Sequence, residues 1–136
     1  MDSRDFFQDV AARNYYEFFQ RHDDKRLLWN AVVSMNSVAE WLALDRLGYP
    51  PISRKDLELE AQKIREQYSL SDLKVCAETF KHVRKIKDQR GGAVFTSIAS
   101  STGVTSDKAT WTINGLDVVD VLQKAFANLD RMPQLR

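Results

Sequence analysis

From Lys25 to Leu47 the chain runs without a glycine or proline and then meets Gly48 and the pair Pro50-Pro51. That stretch constrains the fold more than any other. Leu28, Ala31, Val32, Met35, Val38, Ala39 and Leu42 recur at three- and four-residue steps and form one helical face. Trp29, Val33, Leu44 and Leu47 fall on the opposite side, so the helix is expected to pack on two sides and to sit centrally in a bundle. Asp23 or Asp24 caps its start, Gly48 suits the left-handed position after its end, and the prolines forbid continuation. Between the apolar faces runs a polar strip of Asn30, Ser34, Ser37 and Asp45, with Trp41 among them. In a central helix such a strip must meet partners or water. Asn30, Ser34 and Ser37 are therefore pocket candidates, weighed against a simpler role as a contact line to neighbouring helices.

Other helices assemble around this one. Phe7, Val10, Ala11, Asn14, Tyr15 and Phe18 predict a first helix over about residues 5–20. Ser53-Arg54-Lys55-Asp56 fits a capping box with Asp in place of Glu and opens a third helix to about Gln67. Ser69-Leu70-Ser71-Asp72 repeats the signal for a fourth, which Gly91-Gly92 ends. The composition then turns to Thr, Ser and β-branched residues. Strands over about residues 93–99 and 109–114 predict a β-hairpin, Asn114-Gly115 turns the chain, and Asp117 caps a last helix to about Arg131. The expected fold is mainly α: a four-helix bundle-like core followed by a β-hairpin and a C-terminal helix. Residues 1–132 read as one globular domain and 133–136 as a frayed tail.

The charge balance limits what such a domain can bind. Twenty basic and 19 acidic residues leave a net charge of +1, so any basic patch is local. Residues 74–92 hold one: Lys74, Lys81, Arg84, Lys85, Lys87 and Arg90 against Glu78 and Asp88. Lys74, Lys81 and Lys85 point away from an apolar side made by Leu73, Cys76, Ala77, Phe80 and Val83. A solvated helix face explains this most simply, and a partner-binding face comes second. The lone cysteine, Cys76, reads as a small buried hydrophobe. His82 lies about 120° around the helix from it, so the two do not form a catalytic pair. One cysteine and two histidines do not supply a metal-ligand set, and no cofactor motif occurs. Phe95 and Trp111, on the expected strands, are candidate contact residues if the hairpin leaves them outward. No segment approaches the roughly 18 apolar residues that span a bilayer, the N-terminus lacks a secretory pattern, and a cytoplasmic protein is the expectation.

The layout, with a polar-striped central helix and a basic, histidine-bearing later helix, resembles HEPN-type domains. Such domains often cleave RNA as toxins or in phage defence, commonly as dimers. Their signature is an arginine, four to six residues, then a histidine. Here TFKHVRK offers Lys81-His82, no arginine stands at that distance upstream, and Arg84 follows the histidine. The resemblance therefore implies a non-catalytic member; a nuclease reading would rest on His82, Lys81 and Arg84. The residues favour a non-enzymatic helical binding or adaptor domain acting through a protein partner or self-association. Its expected contacts are Lys74, Lys81, Arg84, Lys85, Phe95 and Trp111. RNA binding or cleavage is the alternative, with nucleic acid ranked below protein.

Overall fold

The computed structural model describes residues 1–49, 52–81 and 111–136. The molecule is mainly helical, and its centre is α3 (Lys25–Leu47). The Asp24 carboxylate caps it, accepting from the backbone N–H groups of Arg26 at 2.9 Å and Leu27 at 3.3 Å. Gly48 ends it at φ 84°, donating to Leu44 O. All seven residues of the expected inner face are buried, and each large aliphatic among them contributes about 1.5–3 kcal/mol by leaving water. The helix packs against every part of the N-terminal helical run and against each of the later α-helices among the described residues, as a central helix must.

The N-terminal helical run begins earlier than expected. Asp2 and Asp5 form a reciprocal capping box, with Asp5 N–H donating to Asp2 Oδ1 at 2.9 Å and Asp2 N–H to Asp5 Oδ2 at 3.3 Å. The run is α1 (Ser3–Phe6), a π-helical turn (Phe7–Ala11) and α2 (Ala12–Gln20). Phe7, Ala11 and Phe18 point into the core.

Next, α4 (Arg54–Gln67) is capped by Ser53, whose Oγ accepts from Asp56 N–H at 3.1 Å. The segment Ser69 to Asp72, read as a start signal, plays two parts. Ser69 belongs to the end of α4: its φ is 56°, and Leu70 N–H reaches back to Arg65 O at 2.8 Å. That is a Schellman closure with serine where glycine is usual. Only then does α5 begin (Ser71–Lys81 within the described residues), burying Leu73, Cys76, Ala77 and Phe80.

The hairpin joins β1 (Thr112–Ile113) to β2 (Leu116–Asp117) around Asn114-Gly115. Both turn residues have positive φ, 51° and 80°, as a two-residue type I′ connection requires. The expectation assigned residues 109–114 to pair with 93–99, a segment outside the described residues. Among the described residues Thr112–Ile113 pairs with Leu116–Asp117, closed by the Asn-Gly turn. Asp117 then caps α6 (Val118–Asp130), accepting from Asp120 N–H at 3.1 Å.

The chain end is not frayed. Met132 and Leu135 are buried, and Pro133–Leu135 forms a 3₁₀ turn. Gln8 Nε2 donates to Leu135 O at 3.0 Å, fastening the end to the π-helical turn. Apolar contacts of Met132 and Leu135 outweigh the loss of chain entropy that would free a polar tail. Buried side chains from Phe7 to Leu135 form one hydrophobic cluster. No described helix is long and apolar enough to cross a membrane.

Candidate functional site

The polar strip of α3 meets protein along most of its length. Ser34 Oγ donates to Asn30 O at 2.5 Å and accepts from Asn14 Nδ2 at 3.1 Å, while Ser37 Oγ donates to Val33 O at 3.0 Å. Ser34 thus meets α2 as well as its own helix, while Ser37 is turned back on its own helix. Further along, the Asp45 carboxylate accepts from Ser3 and from the Tyr49 hydroxyl. That bond holds the Tyr49 phenol in its protonated form, pushed up to about 12, with lesser contributions from desolvation and the charges of Asp45, Asp2 and Asp5. Trp41 stacks on Phe6 at 5.3 Å.

Asn30, one of the three pocket candidates, lines an open cleft of about 430 Å³ with Lys25, Arg26 and Trp29. These residues stand at i, i+1, i+4 and i+5, one face of the first turns of α3. Trp29 is 41% exposed, and its ring stacks on buried Phe80 with centroids 5.4 Å apart and planes 29° apart. Lys25 Nζ lies 5.6 Å from the centre of the Trp111 ring. This grouping escaped the sequence reading, which placed Trp29 on a packing face. The signal was the four-residue step from Lys25 to Trp29 and from Arg26 to Asn30.

A second aromatic group joins α2 to α6. Tyr15 stacks on Phe126 at 4.0 Å, Phe126 meets Phe7 at 5.9 Å and the edge of Tyr16 at 5.5 Å, and Tyr15 touches Phe19 at 4.7 Å. Phe7 roots this array in the core, and Tyr16, 56% exposed, crowns it.

The other expected contact residues divide differently. Trp111 is 3% exposed and its Nε1 donates to His22 O at 3.4 Å, so it belongs to the core and not to a contact surface. The reason is its position just before β1, where the chain turns inward against the start of α3. Lys74 is half-buried, its Nζ donating to Gln62 Oε1 at 3.3 Å, so this cation lies against α4 and does not stand free. Lys81 is exposed at the last described position of α5. His82, Arg84, Lys85 and Phe95 lie outside the described residues. Cys76 is fully buried, and burial pushes its thiol up to about 11, a setting that suppresses the nucleophilic thiolate.

One buried charge was also unforeseen. Arg65, 4% exposed, donates from Nε to Asn36 Oδ1 at 3.2 Å and from Nη2 to Asn36 O at 3.5 Å, with Glu40 Oε1 3.8 Å away. Burial lowers its pKa, and the charges of Glu40, Glu78 and Glu58 oppose that shift. A buried guanidinium bonded twice to Asn36 ties α4 to α3 and serves packing rather than a surface. Among the described residues no group of three or more His, Cys, Asp or Glu side chains is placed to hold a metal ion. Comparison with protein-family models, curated proteins and solved structures finds no match to this chain.

Proposed function

We propose that this chain is a non-enzymatic helical binding domain that acts by self-association, using the aromatic face shared by α2 and α6. The observation that carries the reading is the Tyr15–Phe126 stack with Tyr16 exposed at its edge. Tyrosine and phenylalanine are enriched at the buried centres of interfaces, where rigid rings supply large contact area at small entropic cost. Here the rings are already ordered by one another and anchored by Phe7, so a second copy would meet a preformed surface. Gln123, Arg13 and Glu17 are polar residues of the same two helices and could supply a rim.

Light scattering during size exclusion tests this over a range of loading concentrations. A species heavier than one chain should form, and Tyr16→Asp should return it to a monomer with an unchanged far-ultraviolet circular dichroism spectrum. A wild-type protein that stays monomeric at every concentration sinks the reading.

A further inference from the structure

We propose that the cleft at the start of α3 binds a nucleotide unit, an aromatic base carrying phosphate, at a place separate from the α2–α6 face. Trp29 supplies the first requirement. Its indole is braced from behind by Phe80, which is 2% exposed, while 41% of the tryptophan remains open. A braced ring with an open side is a stacking platform, because little freedom is lost when a base settles on it.

The cations supply the second. Among the described residues Lys25 and Arg26 are both exposed, neither forms an ion pair, and no carboxylate lines the cleft they share with Trp29 and Asn30. Lys25 is held at the cleft by the Trp111 ring, and its ammonium still has donors for an anion. Arg26 adds a planar fork suited to phosphate oxygens. The exposed Asn30 amide can both donate and accept, as recognition of a base edge demands. The charge and the ring stand together here in one cleft. A free nucleotide and a nucleotide within a single strand share this chemistry.

The test follows tryptophan fluorescence while the full chain is titrated with adenosine monophosphate or with a single-stranded oligonucleotide, at low and at raised salt. Saturable quenching is expected with at least one. Saturation by the mononucleotide marks a free-nucleotide site, and saturation by the oligonucleotide alone marks a strand site; either supports the proposal. Trp29→Ala should weaken binding roughly tenfold or more, the loss expected for one stacked base. Lys25→Ala with Arg26→Ala should also weaken it, and for the oligonucleotide should flatten the salt dependence by about 1.4 in log–log slope, two strand phosphates' share. Circular dichroism checks folding, and if Trp29→Ala unfolds, the doubly substituted exposed cations decide alone. No saturation by either ligand at low salt overturns the proposal. So does binding unchanged in the double variant, or capture of an acidic peptide when neither nucleotide form binds.

Discussion

Arg65 and Asn36 meet inside the helical core, where the guanidinium Nε of one donates to the amide oxygen of the other at 3.2 Å. The pair ties α4 to the middle of α3, and Glu40 stands at its solvent side. Removing one member of a buried charged pair leaves the other's polar atoms without a partner. Arg65→Ala should therefore cost about 3 kcal/mol. Asn36→Leu combined with Arg65→Met, apolar on both sides, should lose much less. Urea unfolding of Asn36→Leu, Arg65→Met and the double variant measures the coupling. Additive losses would show that the two residues act independently.

Two positive-φ positions make opposite predictions. Ser69 adopts φ 56° at the end of α4, where glycine carries no side-chain penalty. Ser69→Gly should raise stability by about 0.5–1 kcal/mol. Gly115, at φ 80°, already has the residue its turn demands, and a Cβ there would meet no atom within 4 Å. Gly115→Ala should thus lose about 1 kcal/mol from backbone conformation alone, without a clash. Thermal unfolding reads both, and a change of the same sign in the two variants contradicts the account.

The buried Cys76 thiol gives a pH prediction. Its folded value, about 11, lies above the ordinary 9.0. Between those values the unfolded chain has released the thiol proton while the folded chain keeps it, so unfolding gains as pH rises. This contribution is fully present below about pH 9 and is lost as pH climbs through about 11. Denaturant midpoints across that window should fall less steeply in Cys76→Ala than in the parent. At neutral pH the native thiol should resist a disulfide reagent until denaturant exposes it.

Tyr49 offers a spectroscopic reading of the Asp45 cluster. Its hydrogen bond to Asp45 is the largest cause of the phenol's shift to about 12. Asp45→Asn removes the negative charge that opposes phenolate formation. Ultraviolet titration should then show one tyrosine moving from about 12 back toward the ordinary 10.0. An unchanged titration curve would separate Tyr49 from Asp45 in solution.

Much of this architecture was legible because it follows local rules. The inner face of α3, the Asp24, Ser53 and Asp117 caps and the Gly48 stop all depend on residues close in sequence. Long-range placements were not legible in the same way. Arg65 follows Ile64 on the inner stripe that Ala61 and Tyr68 also mark, yet a charge there reads as a helix edge until Asn36 is known to face it. Trp111 reads from sequence as a strand residue able to face outward, whereas its ring is buried and its indole N–H donates to His22 O, 89 positions earlier. The candidate cleft fell between these cases. Its four residues share a local spacing, but only Phe80, from another helix, turns Trp29 into a braced platform.

The π-helical turn at Phe7–Ala11 sets the phase of the whole N-terminal run. One side of that turn delivers Ser3 to Asp45 and Phe6 to Trp41 near the far end of α3; the other delivers Asn14 to Ser34. Within α2 each residue rotates the helix by about 100°, so deleting one there, ahead of Asn14, would swing Asn14 away from Ser34. The π turn carries one residue more per hydrogen-bonded turn and could lose one by closing as α-helix, with both sets of partners nearly in phase. The turn works as a splice between two reading frames of one helix surface, the one place in the run where a residue could be lost without resetting the frames on either side.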